Sequence, residues 1–459
     1  MDFIQKFIRE DLFKSTDIAS LVFFRICFGA LAVWEVIRFF YHGWVEHLYA
    51  KAPFHFKYEY FTWVEAWPGN GMHIHFFVVG IAALFIGLGL FYRISAIIFF
   101  IGYSYIFFVE RALYNNHYYL ICLLGFFLIL MPLNQNFSLD TLIWPSIKKS
   151  HVSSYWVWII RFQMSIVYFY GGIAKFDQDW LNGMAPHALI RIGAHGTPLF
   201  EIIDQPLVYI FYAWSGLIFD LFIPFFLFYS RTRLFAFVAA LFFHIHNIFI
   251  FNIGIFPFMA ILLTLMYFPT DFPKRLLKSI NYPLKYIEKS EESNLLKQPN
   301  LFIRSLITIY FVWQMIFPFR HLSTPGWTTW HQEGHLFAWR MMLVQKNVQM
   351  LFEVKNSKTG EIRFAPPEDY LNIPQKFKLA RNPDMILQFS HYIKDLVIKN
   401  AGFNPEILVT IKVGINGREF RDFLKPDLDL AKVKPFSPAY EWALPFEPKK
   451  KGLPSLTTP

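Results

Sequence analysis

Cysteine is almost missing: Cys27 and Cys122 are the two in 459 residues, and both fall inside apolar stretches. A disulfide framework and a thiolate metal site are excluded on that count alone. Charge is also scarce. Asp, Glu, Lys and Arg make up 17% of the chain, against about 25% in ordinary soluble domains. The net charge of +10 has no dense basic tract behind it apart from Lys449-Lys450-Lys451, so nucleic acid is not expected as a partner. HExxH, longer histidine boxes, a phosphate loop, a dinucleotide fingerprint and a nucleophile elbow are all missing. "HIH" occurs twice, at His73/His75 and His244/His246. Residues two apart on a helix diverge by about 200° and cannot chelate one ion together, so no metal is expected.

What the chain does have is apolar and aromatic. Hydrophobic residues make up 55% and aromatic residues 20%, with 56 phenylalanines. That composition fits a multi-pass membrane protein embedded in lipid. About nine apolar stretches of roughly 17–25 residues can be counted, centred near Ala30, Ala82, Phe100, Gly125, Ser165, Leu217, Ala240, Ala260 and Tyr310. "MDFIQKFIREDLFK" before the first stretch reads as an interfacial helix, since the apolar segment after it is too long for a cleaved signal. Lys and Arg concentrate in alternate loops: Lys6, Arg9 and Lys14; Arg93; Lys148 and Lys149; Arg231 and Arg233; and six positions from Lys274 to Lys297. Those loops are expected to be cytoplasmic, as is the N-terminus. With nine spans, the C-terminal part then lies outside.

From His321 onward the pattern changes. "VTIKVGINGREFRDF" alternates around Asn416-Gly417, a hairpin signal. "MLFEVKNSKTGEIRF" reads as a second hairpin, and "PDMILQFSHYIKDLVIKN" has helical periodicity. The expected architecture is a mainly α membrane domain over residues 1–320 and a small extracytoplasmic α+β domain over 321–459, with a disordered tail.

One apolar stretch ends in "YFYGGIAKFDQDW", residues 168–180, with Lys175 close to lipid. A cation at mid-bilayer costs about 3 kcal/mol or more. With this topology Lys175 stands near the outer end of its span, as do Asn115, Asn116 and His117. His244 lies about 17 Å along its own span and shares a face with Asn247. Arg320 and His321 follow the last span. Polar groups from four spans thus converge beneath the external domain, the usual mark of an intramembrane site. Local readings compete with this one. Lys175 can snorkel to water, His244 and Asn247 can join helices by hydrogen bonds, Asn115 and Asn116 can cap a helix, and Gly171-Gly172 can let two helices touch. Asp220, in mid-span, needs a partner or a proton.

Four stretches carry a family resemblance: "NNHYYL" (115–120), "RFQMSIVYFYGGIAKFDQDW" (161–180), "FFHIHNIFIFNIGIFPF" (242–258) and "GWTTWHQEGHLFAWRMM" (326–342). Together, and in this order, they resemble vitamin K-dependent γ-glutamyl carboxylase and its bacterial homologues with an HTTM domain. The resemblance implies an enzyme of a bacterial inner membrane. In it a neutral lysine deprotonates vitamin K hydroquinone, O2 converts the anion to a strong base, and that base takes the γ-proton of a glutamyl residue. CO2 then adds, and the quinone leaves as its epoxide. Lys175 matches the base, and Asn116 and His117 match polar residues beside it. His244, Asn247, His321, Trp330 and His335 fall at candidate quinone or substrate positions. The glutamyl peptide would come from the extracytoplasmic side and the quinol from the lipid. A lysine amine, ordinarily near 10.4, must fall to about 7 to be half neutral at pH 7, and burial in an apolar pocket can do this.

Animal members of the family have a larger lumenal portion and an aspartate where Arg340 stands. Two further readings therefore stay open: a quinol epoxidase without protein carboxylation, and a non-enzymatic transporter or assembly protein. Against the last, no internal repeat is visible and the polar cluster lies to one side of the bilayer rather than at its midplane.

Overall fold

A computed structural model describes residues 11–196, 200–251, 253–279 and 299–446. The start of the expected interfacial helix, most of the polar connection before Asn300 and the expected disordered tail lie outside these residues.

The membrane part is built from helices α1 (Ala19–Tyr41), α2 (Gly71–Leu88), α3 (Tyr92–Val109), α4 (Asn116–Leu130), α5 (Tyr155–Ile173), α6 (Met184–Ala194), α7 (Pro206–Phe228), α8 (Arg233–Ile250), α9 (Phe256–Leu265) and α10 (Leu301–Ile316). Each of the nine expected centres falls in one of them, yet nine spans are not reached. Among the described residues six helices are long and apolar enough to cross a membrane: α1, α2, α3, α7, α8, and α10 with its continuation to Ser323. The others fall short for local reasons. α4 and α9 are apolar but short, and α5 carries Arg161, Gln163 and Ser165. The Arg161 guanidinium donates to the carbonyls of Met266 (2.8 Å) and Phe268 (3.1 Å), satisfying chain ends that α9 leaves open. It is a helix-end partner. α6 was not anticipated.

Helix contacts are closest where glycines stand. A Cβ on Gly29 would lie 2.5 Å from the Gly87 Cα, and one on Gly172 would lie 2.9 Å from the Leu221 nitrogen. The second contact draws α5 against α7 and sets the depth at which Lys175 emerges. Two short strands, β1 (Ser15–Asp17) and β2 (His151–Ser153), pair antiparallel before α1 and α5.

The C-terminal part contains one antiparallel sheet of β3 (Lys346–Asn356), β4 (Ile362–Phe364), β5 (Pro405–Ile415) and β6 (Arg421–Asp422), in the order β4-β3-β5-β6. Both expected hairpins are present. The turn between β5 and β6 has Asn416 at φ 51° and Gly417 at φ 80°, the left-handed pair a tight hairpin requires. What local patterning did not reveal is the β3–β5 pairing, which runs from Lys346↔Ile415 to Asn356↔Pro405 and joins the two hairpins into one sheet. Alternate β5 residues, Ile407, Val409, Ile411 and Val413, are buried with Met385, Phe389 and Ile393 of the expected helix. We number that helix α12 (Pro383–Ala401), after the short α11 (Ile373–Leu379). Each such side chain contributes at most about 1.5–3 kcal/mol. Phe56 and Ala112, from loops of the membrane part, belong to the same core, so the sheet domain packs directly on the helix ends.

Candidate active site

Lys175 stands just past the end of α5, where its N–H bonds back to the Gly172 carbonyl (2.9 Å). Its side chain turns inward and is 6% exposed. That conformation does not fit snorkelling, in which the ammonium would reach water. The ammonium donates to the Gly171 carbonyl (2.9 Å) and to Asp220 Oδ2 of α7 (2.5 Å), and lies 5.2 Å from the centre of the Trp180 ring. The first bond places a cation on a helix C-terminus, where the dipole favours it. The second answers what Asp220 needed. The pair sits at the Gly172 contact, and a Cβ on Gly171 would crowd Asp220 Oδ2 and Met341 Cε, each at 3.3 Å. Trp180, Ala174, Ala185, Ala213 and Leu343 pack as one apolar cluster beside it.

The surroundings of Lys175 therefore differ from the purely apolar pocket expected. An amine and a carboxyl facing each other away from water can share one proton as an ion pair or as two neutral groups, because burial penalises separated charges. The pair supplies an amine with a proton acceptor already in contact.

The loop after Lys175 is held from above. Asp177 Oδ2 accepts from Trp327 Nε1 (3.1 Å) and Thr329 Oγ1 (3.2 Å). Asp179, fully buried, accepts from Asn416 Nδ2 (3.0 Å) and is ion-paired with Arg418. The β5–β6 turn thus rests on the lysine loop. Neither contact was foreseen. The aspartates were visible in "KFDQDW", but their partners lie about 150–240 residues away.

The other expected positions divide into groups. Around Arg340 gather Asn116, whose Nδ2 donates to the Arg340 carbonyl (3.3 Å), and His321, whose Nε2 lies 3.5 Å from Arg340 Nη1. His335 feels the same arginine, and its pKa is pushed down to about 3, first by burial and then by Arg340 and neighbouring cations. Met341, the residue after Arg340, has its Cε beside the same point at Gly171 as Asp220 Oδ2, so this group lies one peptide link from the surroundings of the Lys175–Asp220 pair. Asn115 occupies the N-cap position of α4 without a side-chain cap bond. His117 packs edge-on against Tyr118 and faces Phe256.

His244 is buried, and its Nε2 is 2.7 Å from the Tyr168 hydroxyl, which also lies 3.3 Å from Thr264 Oγ1. That joins α8, α5 and α9, as the hydrogen-bond reading of His244 has it. Asn247 is half-buried beside it. Trp330 is a core residue of the sheet domain, donating to the Leu444 carbonyl (2.9 Å) and stacking on Phe446.

A multi-pass helical membrane protein with a sheet domain packed on its helix ends is the class defined by this architecture. A family model described as "HTTM domain" matches residues 13–272, and one described as "Vitamin K-dependent gamma-carboxylase, lumenal domain" matches residues 299–449. The chain belongs to the HTTM-domain family, and the second match marks it as a member of the carboxylase type. Together they support a vitamin K-dependent carboxylase-like function. No solved structure matches the chain.

Proposed function

We propose that the protein is a quinol-dependent γ-glutamyl carboxylase that couples epoxidation of vitamin K hydroquinone to carboxylation of a glutamyl side chain, with Lys175 as general base. The observation that carries this reading is the buried Lys175–Asp220 contact at 2.5 Å. The Trp180 ring beside it offers an aromatic quinol a stacking face. Trp180 and Met341 border the pair, and Gly216 leaves ordinary contact distance to Lys175 Cε (3.8 Å) and Trp180 (3.6 Å) from the place a side chain would fill.

When bound, reduced vitamin K, O2 and CO2 supply the oxidative driving force and the new carboxyl group. The protein's own part is proton handling and exclusion of water. Lys175, relieved of a proton by Asp220, accepts one from the quinol hydroxyl at Nζ. Trp180, Met341 and Leu343 keep water from the pair, which protects strongly basic species from quenching. Asn116, with His117 next to it on α4, holds the Arg340–Met341 segment over the site through the Arg340 carbonyl. His244 fixes Tyr168, two turns before Lys175 on α5. The sheet domain, on the extracytoplasmic side by the Lys and Arg distribution, presents the polypeptide from above while the quinol enters from lipid.

The test is purified protein supplied with reduced vitamin K and O2, with and without a glutamyl peptide and labelled bicarbonate. Epoxide together with label in the peptide supports the whole reading. Epoxide alone supports a quinol epoxidase, and neither product overturns the proposal.

A further inference from the structure

Away from Lys175 the bundle carries a second intramembrane carboxylate, which the proposed reaction does not use. Glu35 of α1 is 1% exposed. Its Oε2 accepts from the Arg38 guanidinium (2.5 Å) and its Oε1 from the Tyr118 hydroxyl of α4 (3.0 Å). Arg38 follows one turn later on the same helix, 5.9 Å and 5.4 Å from the ring centres of Trp34 and Trp44. An acidic residue inside a membrane bundle faces a partner or a water-filled space. Glu35 has a partner in Arg38 and a space beside it. A cavity of about 20 Å³ is walled by Glu35 and Tyr118, by Tyr49 from the segment after α1, by Tyr103 of α3, and by the rings of Phe39 and Phe76.

Not every polar group around this cavity is satisfied by the protein. Tyr49 is 3% and Tyr103 8% exposed, yet neither hydroxyl has a hydrogen-bond partner among the described residues. The rings hold them in place: Tyr49 packs edge-on against Phe76 (5.2 Å), and Tyr103 against Tyr118 (6.5 Å). A buried hydroxyl left without a partner is destabilising. The Glu35 carboxylate can accept about four hydrogen bonds, and Arg38 and Tyr118 supply only the first of these.

Size and charge select the occupant. One water needs about 10–15 Å³ and two to four polar partners, whereas a cavity that takes up benzene measures about 150 Å³. A cation is not favoured, because Arg38 already neutralises Glu35. An anion is repelled by the carboxylate. An apolar occupant leaves both hydroxyls unpaired.

We propose that the cavity beside Glu35 is a binding site for one water molecule, which bridges Tyr49 and Tyr103 to Glu35 and Tyr118. The two free hydroxyls donate to the water oxygen, and the water donates to the Glu35 carboxylate and the Tyr118 oxygen. Every polar group around the cavity then has a partner. Tyr118 follows Asn116 and His117 on α4, so the bridge ties the turn that carries them to α1 and α3. The site does not depend on the reaction proposed above.

The test has two arms, both on the full-length protein in lipid nanodiscs without quinol. A cryo-electron microscopy map that shows other buried waters should hold a single peak in the cavity, within hydrogen-bond distance of Tyr49, Tyr103 and Glu35. An empty cavity in such a map overturns the site. Thermal unfolding then compares Tyr49→Phe, Tyr103→Phe and the double variant with the parent. Each change removes one oxygen and leaves the ring in place. With a bridging water, each single variant should melt lower by about 2 °C or more. The double variant should lose less than the sum, because one water serves both hydroxyls. Without a water the hydroxyls are buried and unpaired, and removing them leaves the melting temperature unchanged or raises it. That result, or losses that simply add, overturns the bridge. Epoxide formation enters neither arm, so failure of the site leaves the reaction proposed for Lys175 untouched.

Discussion

Arg418, in the turn after β5, is ion-paired with the buried Asp179, four residues beyond Lys175. The turn of a soluble-looking hairpin therefore rests on the loop that follows Lys175, and the sheet domain does not simply hang from the bundle. Arg418→Ala leaves a buried carboxylate with only Asn416 as partner, which should cost about 3–5 kcal/mol. Thermal unfolding of the variant should show the loss, and quinol turnover of the folded remainder should fall with it. An unchanged melting temperature would mean that the contact does not hold the domain in place.

Glu110 supplies a pH test at the same junction. It follows α3, is buried, and bonds to Gln375 Nε2 and the Ala112 N–H, each at 2.7 Å. Burial pushes its carboxyl up to about 8 from an ordinary 4.5. Between those values the unfolded chain releases a proton that the folded chain keeps, so this group makes stability fall as pH rises from about 4.5 to 8 and adds no slope above that. Glu110→Gln should flatten that part of the stability profile and raise the melting temperature at pH 8. A profile identical to that of the parent would place Glu110 in its ordinary ionised state.

The side of the membrane is read from Lys and Arg alone. In a variant lacking Cys27 and Cys122, Arg421→Cys should react with an impermeant thiol reagent from outside, and Lys278→Cys should not. Both positions are exposed in the structure. The reverse pattern would invert the orientation and place the lysine site at the cytoplasmic face.

What the sequence disclosed and what it hid follow a physical line. Apolar runs identify helices because burial in lipid is a local demand, but α4, α5 and α9 show that a run centre does not give a span's length. Asn416-Gly417 announced its hairpin because a left-handed turn is a local demand too. The β3–β5 pairing, about 50–70 residues apart in sequence, leaves no such mark. Lys175 and Asp220 were each conspicuous as isolated charges, yet their meeting depends on how closely Gly172 lets α7 approach. Lys346 attracted no notice, since a lysine at the start of a strand ordinarily faces water. Only the packing of that strand's start against Trp330 buries it, with its ammonium on the Trp330 carbonyl.

The central claim is that Lys175, with Asp220, removes the proton from the quinol. Replacing the lysine alone strands the Asp220 carboxyl, a loss of about 3–5 kcal/mol, so the Lys175→Met/Asp220→Asn double variant serves as the folded control. The decisive measurement is epoxide formation from reduced vitamin K by Lys175→Ala, Asp220→Asn and the double variant, per folded molecule. Both single variants should lose at least about 100-fold, with the double variant no worse than Lys175→Ala. Small amines should restore part of the Lys175→Ala activity, increasingly as pH raises the free-amine fraction. Near-normal epoxidation by Lys175→Ala would show that Lys175 and Asp220 are a structural ion pair between two helices, and that the base lies elsewhere.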